Sequence, residues 1–309
     1  MSDLYFKNSD LKRNDFDLIL NAAEHRWNTI KSEYPELTDA ITLQQRILNR
    51  SLELSKRVDK CFPVDCHFNK ADIIHSLNEQ LPAFSGQSLT VDATHLKPFL
   101  LGFCEDFLQA GGGLPVDRLL NIFTKEEINI ASLLSASLMR QLKPIRTIAN
   151  HIGVAPDLLW LVAELSVSPI ANRLQHKYLV SHEDIRNILI DWTKGYCPAC
   201  GSWPAFAEIL QENRSLRCSF CGLAWTPAPY CCIYCEESSA SFLKAVETGE
   251  KNITLEMCRS CGAYLKSITT KRPTPFELLS VEDLASSSVD GGAAKQGYNR
   301  PPMQSFNNC

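Results

Sequence analysis

The chain has 309 residues, 45% of them hydrophobic and 21% charged, a composition that excludes wholesale disorder at a length sufficient for about two domains. Thirty-one Lys and Arg against 35 Asp and Glu leave a net charge of −4, without the basic excess that drives nucleic-acid binding. The opening stretch Met1–Asp10 has no apolar signal core, and the most apolar later run, Leu158–Val167, is short and holds Glu164, so a cytoplasmic protein with no membrane span is expected.

From about Asp10 to Trp192 apolar residues recur at helical spacing, with Gly and Pro between the periodic runs, which predicts an all-helical domain over residues 1–194. Phe16, Leu20, Ala23, Trp27 and Ile30 form one stripe ending before Pro35, and Leu43, Ile47, Leu54 and Val58 form a second. A third run, Leu96, Phe99, Leu100, Phe103 and Phe107, carries Pro98 where a first turn tolerates it and stops at the glycines 111–113. Thr124 and Glu127 have capping-box spacing ahead of Ile128, Leu134 and Leu138, and Pro156 is placed to open a helix holding Leu159, Val162 and Ala163.

After Trp192 the texture changes to short segments punctuated by Cys-Gly pairs, with strands expected over 205–210, 223–225 and 263–268. Residues 271–309 read as a partly mobile tail with one short helix near 281–285. Beyond it the serines 286–288 and glycines 291–292 weaken helix formation.

Thirteen cysteines in a chain of this size without a secretory signal point to metal or redox chemistry rather than a disulfide framework. Eight of them form four C-x-x-C pairs: Cys197/Cys200, Cys218/Cys221, Cys232/Cys235 and Cys258/Cys261. A two-residue spacer lets both thiolates of a knuckle point at one ion, and two knuckles complete the tetrahedral shell of four sulfurs that suits zinc or a rubredoxin-type iron. The eight cysteines therefore make two metal sites. Pairing in chain order leaves 17 and then 22 residues between knuckles, close to zinc-ribbon spacing; interleaved pairing is also open.

Glycine follows three of the four pairs (Gly201, Gly222, Gly262), as a knuckle turn with positive φ favours, whereas Glu236 follows the third. No histidine follows His182, so both sites are expected to be all-cysteine and saturated, without the open position a catalytic zinc uses for water. Cys61 and Cys66 with His67 lack a fourth partner and read as ordinary thiols, Cys104 as core, and Cys309 as an incidental exposed thiol. The seven histidines are scattered, and no nucleophile or phosphate motif is present, so no catalytic residue is expected. A thioredoxin-like role would require a βαβ setting for the C-x-x-C pairs, which short strands do not supply. Residues 195–266 hold six basic side chains (Arg214, Arg217, Lys244, Lys251, Arg259, Lys266) against seven acidic ones, which disfavours a nucleic-acid-binding ribbon.

Four segments carry a resemblance: Cys197-Pro-Ala-Cys200-Gly-Ser-Trp-Pro204, Leu216-Arg-Cys218-Ser-Phe-Cys221 with Trp225 following, Cys232-Ile-Tyr-Cys235, and Glu256-Met-Cys258-Arg-Ser-Cys261-Gly-Ala-Tyr-Leu-Lys266. They resemble the FdhE family of formate dehydrogenase accessory proteins, well over roughly residues 155–300, including the helical stretch Leu158–Leu174, and loosely elsewhere. The resemblance implies a cytoplasmic, non-enzymatic protein that assists maturation of respiratory formate dehydrogenase. It further implies contact with the catalytic subunit of that enzyme and iron bound in rubredoxin-like sites, with zinc as the alternative metal. The doubled Cys231-Cys232 departs from the pattern and leaves two candidates for one ligand.

The expected architecture is α plus small metal-bound β: a helical N-terminal domain, then two tandem rubredoxin-like or zinc-ribbon modules over 195–226 and 227–270. The knuckles would either present Trp203, Trp225 and Tyr264 to a partner or use them as small-core filler. The competing functional reading is a rubredoxin-like electron-transfer or thiol-redox protein.

Overall fold

The computed structural model describes residues 16–229, 231–247 and 252–301; Cys309 lies outside them. The first two apolar stripes become α1 (Phe16–Glu33) and α2 (Thr38–Lys60), joined through a 3-10 turn at Pro35–Leu37. α1 buries Phe16, Ala23, Trp27 and Ile30 against Ile41, Leu48 and Leu52 of α2, while Leu54 and Val58 enter the main core. α3 (Lys70–Asn78) is capped by Asn69, whose side chain accepts from the Ala71 N–H at 2.9 Å. α4 (Lys97–Gln109) carries Pro98 in its first turn and ends at the glycine joint, where Gly111 and Gly113 adopt φ of 90° and 61°. α5 (Gly113–Thr124), α6 (Ile130–Leu138), α7 (Leu142–Ile152), α8 (Pro156–Gln175) and α9 (Glu183–Ile190) complete this half.

Three local expectations are corrected. The N-terminal half is not all-helical, because β1 (Val64–Cys66) and β2 (Leu89–Val91) pair antiparallel with Val64 opposite Val91; strands of three residues are too short to show a period of two. Thr124 ends α5 instead of capping α6: its hydroxyl donates to the Leu120 carbonyl at 2.8 Å, Glu126 turns at φ 55°, and Asn129 caps by accepting from the Ser132 N–H at 2.9 Å. Pro169 lies inside α8 instead of between runs. That helix is buried on nearly all sides, from Leu159 through Leu174, so tertiary packing outweighs the missing backbone donor.

The second half forms one six-stranded sheet from β3 (Pro204–Leu210), β4 (Asn213–Cys218), β5 (Ala224–Trp225), β6 (Phe242–Glu247), β7 (Ile253–Cys258) and β8 (Tyr264–Thr269). The spatial order is β5-β4-β3-β8-β7-β6. Each half is antiparallel, and the two halves join through a parallel β3–β8 ladder with Ala207 opposite Ser267 and Ile209 opposite Thr269. The modules thus repeat head to tail across a continuous sheet.

The tail departs from expectation. After α10 (Leu279–Ala285), a further helix, α11 (Ser287–Lys295), forms in spite of its serines and glycines. Its Val289 and Ala293 bury against Ile253, Leu255, Met257 and Tyr264 of the sheet, and burial of this kind overrides weak propensity. α10 packs Val281 and Ala285 into the α1–α2 cluster, so the tail ties the first helices to the sheet.

A buried ion network fastens it. The fully buried Lys266 ammonium lies 2.8 Å from Asp283 and 3.0 Å from Asp290, Arg300 bonds both carboxylates at 2.6 and 3.2 Å, and the Tyr264 hydroxyl donates to Asp290 at 2.8 Å. Burial opposes ionisation of Asp283, but hydrogen bonding to Arg300 and the Arg300 and Lys266 charges hold its carboxyl below its ordinary value. A carboxyl depressed in the folded state contributes stability above its unfolded pKa of about 4, and that stability is lost as pH falls through the lower folded value. Asp283→Asn is therefore expected to cost about 3 kcal/mol in urea unfolding at neutral pH, with the gap to the parent closing below about pH 4.

Candidate metal centres

All four knuckles are built by one backbone device. The N–H of the first cysteine donates to the carbonyl five residues on, Cys197 to Ser202, Cys218 to Leu223, Cys232 to Glu237 and Cys258 to Ala263, at 2.8–2.9 Å. The N–H four residues on returns to the carbonyl of the first cysteine, from Gly201, Gly222, Glu236 and Gly262. That fourth position is left-handed in every case, with φ of 80°, 75°, 61° and 68°, which is the reason for the glycines and makes Glu236 the strained member by about 1 kcal/mol.

Cys197, Cys200, Cys218 and Cys221 converge in one cluster and Cys232, Cys235, Cys258 and Cys261 in another, the four sulfurs of each within 4.8 Å of one another. The pairing follows chain order and is not interleaved. Sulfur–sulfur separations are 3.6 Å for Cys197–Cys221, 3.5 Å for Cys200–Cys218, 3.7 Å for Cys232–Cys261 and 3.6 Å for Cys235–Cys258. A tetrahedral ion with metal–sulfur bonds of about 2.3 Å holds its ligands about 3.8 Å apart, whereas a disulfide would require about 2 Å. Every described cysteine is a free thiol, so the donor sets fit a thiophilic tetrahedral ion. Of the doublet, Cys232 joins the cluster, while the Cys231 sulfur lies 3.7 Å from the Ala228 carbonyl.

The first centre belongs to the main core. Its cysteines pack in the same cluster as the helices; only Cys200 has any exposure, 7%, where it meets a cleft of about 370 Å³ bordered by Ser85, Gln87, Met139 and Arg140. α8 holds the second knuckle from behind: the Ser168 hydroxyl donates to the Phe220 carbonyl at 2.7 Å and the Asn172 amide to the Cys221 carbonyl at 2.9 Å. The loop before β2 holds the first, with the Ala83 and Phe84 N–H groups donating to the Pro198 and Ala199 carbonyls at 2.7 and 3.1 Å. The Arg140 guanidinium, 2.6 Å from Glu164, lies between the rings of Trp160 and Phe220 at 4.5 and 4.3 Å. Burial opposes ionisation of Cys200, yet hydrogen bonds from Cys197, Cys218 and Cys221 and the Arg140 charge hold its thiol well below its usual value, while burial drives Cys197 and Cys221 up. Metal loading must therefore displace protons, which makes it pH-dependent.

The second centre sits at the periphery. Cys232 and Cys258 are buried, whereas Cys235 and Cys261 are exposed, and the Ser260 hydroxyl beside them donates to Glu237 at 2.9 Å.

The remaining singled-out residues lie elsewhere. Cys104 is fully buried in α4, and burial pushes its thiol up to about 12. Cys61 is exposed, and the half-buried Cys66 sulfur lies 3.6 Å from the Tyr178 hydroxyl. Presentation of the aromatics to a partner is overturned for Trp225 and Tyr264, each only 4% exposed. Trp225 donates to the Lys194 carbonyl at 3.2 Å, and the half-buried Trp203 stands edge-on to Tyr196 and Tyr234. The modules fold back onto the helices and the tail, which consumes these faces. Sequence reasoning missed Ser168, Asn172, Arg140 and Glu164 as supports of the first centre. The only signal for Ser168, Asn172 and Glu164 was their place within the resembling stretch Leu158–Leu174.

No family model matches the chain. A protein named FdhE homolog from Aquifex aeolicus is 24% identical over 287 residues, covering 89% of this chain and 91% of that protein. The crystal structure of the FdhE protein from Pseudomonas aeruginosa superposes with a TM-score of 0.56 at 20% identity, over 92% of this chain and 93% of that one. This chain resembles FdhE along nearly its whole length. A second FdhE homolog, from Pectobacterium atrosepticum, is 23% identical over 78% of this chain and 74% of its own. The FdhE-like fold thus spans the helical half and both cysteine clusters together.

Two substitutions probe the supports. Asn172→Ala leaves the buried Cys221 carbonyl without its donor and should lower urea stability by about 1–3 kcal/mol. Glu236→Gly relieves the left-handed strain and should raise stability by about 1 kcal/mol, less the small contribution of the exposed Lys194–Glu236 pair.

Proposed function

We propose that this protein is a non-enzymatic accessory factor for the assembly of formate dehydrogenase, docking on its catalytic subunit and carrying one metal ion in each cysteine cluster. The observation that carries this reading is the FdhE likeness over nine-tenths of the chain with both clusters inside the matched region. The first ion is held by Cys197, Cys200, Cys218 and Cys221, the second by Cys232, Cys235, Cys258 and Cys261. Four thiolates saturate a tetrahedral ion and leave no position for substrate or water, which supports a structural or electron-transfer role over hydrolysis. Iron is the metal the resemblance favours, and the same donor set takes zinc. The resemblance implies a place of action in the cytoplasm, and no helix among the described residues is long and apolar enough to cross a membrane.

Rubredoxin-like electron transfer is the second reading. The exposed Cys235 and Cys261 favour it, since they bring one edge of the second centre to the surface.

Protein purified without oxygen should contain about two irons per chain, with thiolate-to-iron absorption. Tagged protein should retain the catalytic subunit of formate dehydrogenase, and cells lacking the chain should lose formate dehydrogenase activity until it is restored. Full activity in those cells, with no retention of the subunit, would overturn the assembly reading. A reversible spectral change on redox cycling in that case would move the assignment to electron transfer.

A further inference from the structure

The two centres share one ligand set and one knuckle geometry but differ in what surrounds them. Three sulfurs of the first are sealed, its knuckles are hydrogen-bonded to α8 and to the loop before β2, and its cysteines are part of the largest core cluster. Neither ligand pair of the second centre belongs to a hydrophobic core cluster among the described residues, and two of its four ligand residues, Cys235 and Cys261, are exposed. A competing chelator or thiol replaces ligands one at a time and must reach the ion. Cys235 and Cys261 offer that approach, whereas at the first centre only the edge of Cys200 does.

What leans on the second centre is the tail. Directly after Cys261, the Gly262 carbonyl accepts from the Asn299 N–H at 2.9 Å, and the Tyr264 N–H donates to the Asn299 carbonyl at 3.2 Å, a parallel bridge laid on the fourth knuckle. Gly297, at φ 85°, turns the chain from α11 into that bridge, and Arg300 then reaches Asp283 and Asp290. α11 itself packs on β7 and β8, the strands that enter and leave the knuckle. The Gly262 carbonyl is correctly aimed only while the knuckle keeps its turn, which the Cys258–Ala263 and Gly262–Cys258 backbone bonds form and which an ion shared by Cys258 and Cys261 would brace.

We propose that the second centre is an exchangeable site for a thiophilic metal ion and that its occupancy holds the C-terminal segment 287–300 on the sheet, while the first centre is a permanent part of the core. This rests on the reading that both clusters hold metal. Loss of the second ion loosens the fourth knuckle, then the Asn299 bridge, then α11. Because coupling between two such sites is reciprocal, weakening the tail must also loosen the ion.

The test uses the full chain as purified, with its metal counted, then challenged with excess EDTA while metal release and amide hydrogen exchange are followed together. One equivalent should leave at least about tenfold faster than the other, iodoacetamide should label Cys235 and Cys261 before Cys197 and Cys221, and protection over 287–300 should fall with that first equivalent while 197–225 stays protected. Arg300→Ala, which leaves every ligand in place, should speed loss of the fast equivalent several-fold and leave the slow one unchanged. Two ions leaving at a single rate, first labelling at Cys197 or Cys221, or unaltered protection over 287–300 after the first equivalent has gone would each overturn the proposal while leaving two-metal binding intact. A chain isolated without metal would overturn the metal reading itself, and this proposal with it.

Discussion

Four sulfurs buried together in an apolar core constrain most of this structure. As isolated thiolates they would be costly to remove from water, and at separations of 3.5–3.8 Å they match the ligand spacing of a tetrahedral ion, which would stabilise them in that form. The first cluster sits where α8, the loop before β2 and the sheet meet. Residues from distant parts of the chain converge on it: Ala83 and Phe84 on one knuckle, Ser168 and Asn172 on the other. The helical half and the ribbon half are thus joined around the cluster and not merely strung in series.

The sheet extends this join. Because β3 pairs parallel with β8, the second module is added to the first by repetition and not by a twofold axis. The seam is closed tightly behind the strands: a Cβ on Gly195 would come within 1.9 Å of the Ile233 carbonyl, so only glycine allows the linker to pass the third knuckle. The buried Glu208 carboxylate beside the seam pairs with Arg217 and accepts from the Thr274 N–H at 2.9 Å. The tail crosses both modules, with Phe206, Ile268 and Leu279 in one small cluster and Lys266 neutralised by its two aspartates. A buried ammonium of this kind specifies the docking position of the tail more than it adds net stability.

Placing one four-sulfur centre in the core and the other at the rim divides two demands. A core centre gives rigidity, since only the edge of Cys200 can be reached without opening the protein. A rim centre gives access, either for a partner surface or for an ion. On the proposed accessory role, the rim and the tail latched to it offer a place where contact, metal state and conformation can be coupled, on elements less deeply embedded than α8.

The helix stripes at Phe16–Ile30 and Phe99–Phe107, the first-turn prolines Pro98 and Pro156, the change of texture at Trp192 and the four C-x-x-C pairs were legible in the sequence, because each is written in local spacing or in the geometry of a two-residue knuckle. The positive φ behind Gly201, Gly222 and Gly262 was legible for the same reason. Other features were decided only by tertiary structure. Chain-order pairing of the knuckles depended on which strands became neighbours, and the fate of Trp225 and Tyr264 on the modules folding back over them. Pro169 and the glycines of α11 are held in helices by burial against partners far away in the chain, which local propensity does not register. The inequality of the two centres has the same origin: identical knuckles carry identical chemistry, and only the surroundings that the fold supplies make one a sealed core site and the other an exposed rim.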